Sequence, residues 1–319
     1  MRREWSWAGT RSARATGEAT AFEWDLFGPR RPRPSPAILE DYARDYFPRP
    51  RRSDTALKGS EFAQRWPGKT APADWVGREE AIARELTSGN VPPFLWQWKE
   101  IVARESGPRA LYLVTPDVLA IGSDTDFLRI PMDAVTAQRV ADHYACLLPT
   151  AKMVNQIFEQ ARVQLVAITK QYNWDEKART DSEPDRSIKG AAMAGYVIHN
   201  DLIEAQLKGG SRDRLVAGHK KEIIIGPGME RYPDKLYFCG FHQPSQRGPG
   251  NSNGFFQLGA GPSIHTSNFA DYAQGVRLVN PYMTIDGETK MIADVLKDSS
   301  QCLWISSGVI ARPRYRTTR

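Results

Sequence analysis

Nowhere in the 319 residues does an apolar run approach the roughly 18 residues needed to cross a bilayer. The opening stretch Met1-Arg2-Arg3-Glu4-Trp5-Ser6-Trp7 is basic, but no apolar segment of signal-peptide type follows it. The expectation is a chain without a membrane span or conventional secretion signal, cytoplasmic by default. Cysteine is scarce: Cys146, Cys239 and Cys302 are widely spaced and form no Cys-x-x-Cys pair, which argues against a zinc ribbon and a disulfide framework. No Walker loop occurs, and no Gly-x-Gly-x-x-Gly opens a helix, so nucleotide-dependent chemistry has no support and no cofactor is assigned. There is no Gly-x-Ser-x-Gly elbow and no internal repeat.

What is present is an ordinary globular composition, 41% hydrophobic and 25% charged. The net charge of +6 is concentrated at the ends. Residues 1–55 carry 11 Arg against 8 acids, residues 312–319 add four Arg, and the stretch between sums to about −1. A fold that grips phosphates should carry its basic face in the core, so nucleic acid is not the expected partner there.

Pro/Arg clusters such as Arg30-Arg31-Pro32-Arg33-Pro34 and Pro48-Arg49-Pro50-Arg51-Arg52 cannot hold a helix or a strand ladder. Residues 1–73 are therefore expected to be a basic, poorly ordered N-terminal arm, with Trp5, Trp7 and Trp24 available to pack on the core or on a partner. Residues 74–311 are expected to be a single core and 312–319 a solvated basic tail. Asp74, Asp133 and Thr150 are N-cap residues for helices over 76–87, 134–145 and 151–161, the last two packed as a hairpin. A longer helix is expected over 187–207, and a charged loop over 169–187 before it. Strands are expected over 110–114 and 118–121 with Pro116-Asp117 as their tight turn, then at 127–132, 221–225, 235–241, 275–279, 282–285 and 303–310. Asp286-Gly287 is the strongest hairpin signal. A short helix is expected at 291–296. Helices and strands are segregated, which predicts an α+β fold, mainly antiparallel, packed with a helical hairpin and one longer helix.

The chemistry-bearing residues gather in the last third. They are His219, His242, His265, Asp271 and Arg277; the three histidines each lie beside a Gly or at a predicted strand end, positions that can aim a side chain into a cleft. Imidazole, carboxylate and guanidinium together suit general acid–base work with a cation to hold an anion. His219, His242, His265 and Asp271 also have the donor types that zinc accepts, though their spacing matches no metal motif. Each has an ordinary structural role as well, with Arg277 pairing to Asp271 as one example. Cys146, at the elbow before a helix N-terminus, is a weaker nucleophile candidate and more readily a buried thiol.

Val114-Thr115-Pro116-Asp117-Val118, Cys146-Leu147-Leu148-Pro149-Thr150, Gly218-His219-Lys220-Lys221 and Asp271-Tyr272 carry a resemblance to an uncharacterised group of bacterial and phage-like proteins. It extends over about residues 76–300. The group usually has Ser-His where this chain has Ala273-Gln274, which implies altered or absent activity here. Two functional expectations follow. The first is a hydrolase of a cell-wall or other polymeric substrate, with His265 or His219 as base, Asp271 as orienter or metal ligand and Arg277 as anion holder. The second is a non-enzymatic binding or assembly protein whose aromatic, basic arm docks a protein partner.

Overall fold

A computed structural model describes residues 50–103, 109–168, 190–210, 212, 214–243 and 256–318. Arg30-Arg31-Pro32-Arg33-Pro34, Pro48-Arg49, the three early tryptophans and the charged loop over 169–187 lie outside these residues, whereas Arg52 of the second Pro/Arg cluster, expected in a poorly ordered arm, donates to Asn90 Oδ1 at 2.9 Å and to Ala56 O at 2.7 Å. The chain is α+β with mainly antiparallel sheets. None of the described helices is long and apolar enough to cross a membrane.

The helices form where local signals ask for them. Asp74 accepts from the Gly77 N–H at 2.7 Å and starts α2 (Trp75–Thr87), which follows the short α1 (Gly59–Gln64). Asp133 caps α3 (Ala134–His143) through Thr136 N–H at 2.7 Å, and Thr150 caps α4 (Ala151–Gln160) through Met153 N–H at 3.1 Å. In each case a side-chain oxygen satisfies an orphan donor of the first turn. α5 (Met193–Leu207) ends in left-handed Lys208, and α6 (Ile292–Lys297) is a single short turn near the C-terminus.

The first sheet has the order β1 (Lys99–Ala103), β2 (Ala110–Val114), β11 (Val279–Ile285), β12 (Glu288–Met291), antiparallel throughout. Its β11–β12 turn has φ 54° at Asp286 and 81° at Gly287, the left-handed pair that a two-residue type I′ hairpin requires. The second sheet has the order β10 (Gln274–Gly275), β7 (Lys221–Ile223), β8 (Lys235–Gln243), β9 (Phe256–Thr266). Here β10 joins β7 in parallel, and the other pairs are antiparallel. Two small ribbons complete the strands: β3 (Ala120–Gly122) with β4 (Phe127–Arg129), and β5 (Val163–Gln164) with β6 (Val216–Ala217).

Several expectations give way to the structure. Pro116-Asp117 does not turn a hairpin: β2 pairs with β1 and β11, while β3 pairs with β4. The intervening residues bend at Pro116-Asp117 and then continue beside 276–278, with Thr115 N–H on Leu278 O at 3.1 Å and Leu119 N–H on Val276 O at 2.7 Å. No strand forms over 303–310, which is a 3₁₀ turn at Cys302–Trp304 followed by irregular chain. The basic C-terminus is not simply solvated. Tyr315 is 2% exposed, and its hydroxyl takes the Tyr237 N–H at 2.9 Å and reaches Ile224 O at 2.7 Å, fastening it to β8. The sequence starts the core near Asp74, yet Phe62 of α1 is 1% exposed and Gly59 lies against the backbone of Phe127 and Leu128. The smaller differences are that α5 begins at Met193, and that β1 and β9 went unpredicted.

Candidate functional site

Three segments cross where β2 ends: residues 115–119, the β6–β7 connection and residues 271–277. The crossing is tight. Gly218 has φ 100°, and a Cβ there would sit 2.3 Å from Leu165 O, so only glycine lets the chain pass. The next residue is His219, 1% exposed, whose Nε2 donates to Asp117 Oδ1 at 3.0 Å. Asp117 Oδ1 also takes the Val118 N–H at 2.7 Å, and Oδ2 takes Arg129 Nε and Nη2, both at 2.8 Å. Arg129 passes the charge outward through Nη1 to Glu204 Oε1 at 2.7 Å, and Glu204 Oε2 meets Arg212 at 2.8 Å. The result is an alternating row, Asp117–Arg129–Glu204–Arg212, that leads from the interior to the half-buried surface.

Burial alone would raise the Asp117 carboxyl, but Arg129 and His219 outweigh it and hold the group well below the usual carboxylate range. Burial pushes His219 below its ordinary value despite Asp117, so the ring is neutral. With Nε2 donating, its Nδ1 carries a buried lone pair that has no partner among the described residues.

Arg277 is wholly buried and fully engaged. Its Nε meets both oxygens of Glu222 at 3.0 and 3.1 Å, Nη1 donates to Thr115 O at 2.6 Å, and Nη2 donates to Val216 O at 2.8 Å. It therefore clasps all three segments at once. Asp271 does not pair with Arg277. It meets Lys221 at 3.1 Å and takes the Ala273 N–H at 2.9 Å. Gln274 Oε1 takes the Asp271 N–H at 2.8 Å and its amide donates to Phe269 O at 3.2 Å, so the side chain shapes the turn.

His242 and His265 stand elsewhere. His242 shares a 2.9 Å hydrogen bond with Asn155 of α4 and stacks on Phe158, with ring centroids 4.1 Å apart. His265, half-buried on β9, stacks on Phe269 at 3.8 Å. None of the five candidate side chains bonds to another of the five. Among the described residues no three His, Cys, Asp or Glu side chains come together as metal donors. All three cysteines are buried and outside any disulfide; burial raises Cys146 strongly and Cys239 to about 12, so neither is an activated nucleophile.

Three further groups had no local signal. Lys220, 2% exposed, donates to Tyr272 O at 2.6 Å, and burial, reinforced by Arg129, lowers it to about 7. His199, on α5 and 0% exposed, packs edge-on to Tyr272 at 5.0 Å; burial, then Lys220 and His219, push it well below its ordinary value. Burial and Asp133 raise Glu79 of α2 to about 7. Asp117 and Arg129 did leave a trace in the sequence: each is a lone charge inside an apolar run, the pattern of a buried ion pair.

No family model matches the chain, and no curated protein or solved structure matches it.

Proposed function

We propose that this chain is a non-enzymatic binding or assembly protein. One observation carries the reading: the five side chains that suit acid–base chemistry are each engaged in a separate structural contact. Arg277 clasps three segments, Asp271 holds Lys221, His219 joins Asp117 to the β6–β7 connection, His242 anchors to α4, and His265 stacks on its neighbour Phe269. Gln274, where the resembling group has histidine, supports the same reading because both ends of its amide are bonded within the turn.

The hydrolase reading retains one specific observation. His219 is oriented by Asp117 and its Nδ1 lone pair has no partner among the described residues, the arrangement a general base needs. The ring is 1% exposed, so a substrate would reach it only after the crossing segments part. The two readings separate in one experiment. The purified chain is incubated with peptidoglycan and with a labelled protein substrate, alongside a His219→Asn variant. The binding reading expects no product from the wild type and a lower melting temperature for the variant. Turnover by the wild type that His219→Asn abolishes at unchanged melting temperature would overturn it.

A further inference from the structure

Residues 312–318 lie outside every helix and strand, yet their burial alternates. Pro313 and Tyr315 are buried, whereas Arg312 and Arg316 are exposed and Arg314 is half-buried. The seat that receives them is built from α3 and the end of the β7–β8 ladder. On α3, Asp142 Oδ2 accepts from Arg314 Nη2 at 2.7 Å, and Gln138 Oε1 accepts the Tyr315 N–H at 3.0 Å. Gln138 also donates to Asp142 Oδ1 at 2.9 Å, one turn along the helix, so the polar edge of the seat is preset. Beyond β7, Ile224 N–H donates to Tyr237 O at 3.1 Å, but the return bond of that antiparallel pair runs through Tyr315. Its hydroxyl accepts the Tyr237 N–H at 2.9 Å and donates to Ile224 O at 2.7 Å. Glu230 Oε1 accepts the Arg312 N–H at 2.9 Å, and Asp234 stands 3.7 Å from Arg316. The cations next to these acids in sequence are turned elsewhere: Lys235 donates to Ile264 O, and Arg231 lies over Tyr232. The segment is thus held as a ligand is held, by two buried side chains, a hydroxyl and ion pairs, with no ladder of its own. Its last anchor before the seat is Ile310, whose N–H donates to Leu296 O at 2.8 Å. From Ala311 onward it can leave without opening a sheet, water taking the hydroxyl's place between Tyr237 and Ile224.

Resting on the binding or assembly reading above, we infer that this seat is an interaction site for residues 312–318 of a second copy of the chain, with each copy's own segment as the resident competitor. The fit itself argues the occupant. A second copy supplies the same Arg-Pro-Arg-Tyr-Arg run, so every bond above forms equally between copies, and reciprocal exchange gives a symmetric pair with none of them lost. The tether sets the balance. A short link holds the segment at an effective concentration on the order of millimolar, so single copies dominate when dilute and exchanged pairs form as the chain is concentrated.

Two measurements test this. In the first, a chain ending at Ala311 is titrated with a labelled peptide of residues 311–318 and followed by fluorescence anisotropy. It should bind at least about tenfold more tightly than the intact chain does, a difference of about 1.4 kcal/mol, because the resident competitor is gone. The same peptide with Tyr315→Ala should lose at least about tenfold. The second keeps the full chain and does not depend on the shortened one folding. Asp142→Arg and Arg314→Asp variants are sedimented alone and mixed. Each variant alone sets like charges against each other and should stay single, whereas an exchanged pair between the two variants matches both charges, so the mixture should form a dimer. A folded shortened chain that ignores the peptide, equal binding by shortened and intact chains, or a mixture that stays monomeric each overturns the assignment. The binding reading itself stands or falls on the separate turnover experiment.

Discussion

The first sheet and the crossing beside it are one residue apart along the chain and are held by opposite means. In the sheet, Ile101, Tyr112, Val114 and Met283 are 0% exposed, and stability comes from apolar area removed from water, about 25 cal/mol per Å². From Thr115 onward charged side chains join apolar ones such as Leu119 and Val276 in the interior. Arg129 and Arg277 are as deeply buried as those apolar residues, each on a carboxylate with defined geometry. Buried ion pairs do little better than break even against apolar packing, but a half-broken one is costly. Apolar packing tolerates rearrangement; the crossing tolerates only one. The ion pairs therefore fix which segments cross and in what register, while the sheet supplies the bulk of the driving force.

The sharpest break of this comparison is Arg277→Met, which strands Glu222 and two backbone carbonyls. It should cost about 3–5 kcal/mol in urea unfolding, with Glu222→Met/Arg277→Met recovering a large part of the loss. Recovery is the diagnostic, since a pair of apolar truncations in the first sheet would accumulate loss instead. A double variant as unstable as the single one would contradict the ion-pair account.

Next in size is Lys220→Met. Lys220 falls from an ordinary 10.5 to about 7, so the unfolded chain holds more protons between those values and stability rises with pH across that window. Removing the ammonium should raise stability at pH 7 by about 2 kcal/mol, after allowing for the lost bond to Tyr272 O. The advantage should shrink as pH climbs toward 10. Thermal melts at pH 7 and pH 9.5 check both the sign and the trend.

The smallest expected effect is acid sensitivity. His199 and His219 are held below their ordinary values, so the unfolded state takes up protons first and stability falls as pH drops below about 6.5. Glu79, raised to about 7, acts in the other direction: its contribution is present below pH 4.5 and lost as pH rises toward 7. The two trends oppose each other between pH 5 and 6.5. Replacing His199 with Phe should flatten the acid side by up to about 1.4 kcal/mol per pH unit, seen as a shallower melting-temperature profile. An unchanged profile would show that His199 does not titrate there.

What could be read from the sequence was local. Asp74, Asp133 and Thr150 start helices through bonds to residues three positions on, and Asp286-Gly287 turns its hairpin alone. The crossing could not be read this way. Asp117 and His219 lie 102 residues apart, Glu222 and Arg277 lie 55 apart, and no spacing rule links them. Pro116-Asp117 looked like a turn because turn residues lay between two apolar runs. The chain does bend there, but the flanking Thr115 and Leu119 bond to residues 276–278 instead of closing a hairpin, and the aspartate serves an ion pair. β9 was missed because its Gly-rich, weakly apolar residues show no period of two. The candidate residues were visible as chemical types, but their bonding partners were not.

The order of strands in the first sheet also sets a timetable. β2 finds β1 close by in sequence, but its other edge waits for β11, with Leu111 opposite Thr284. Pairing so distant in sequence must close a long loop before it is rewarded, which places the protein among slow folders. Until residues 279–285 arrive, β2 presents an open apolar edge, and in that interval a neighbouring molecule can pair with it instead.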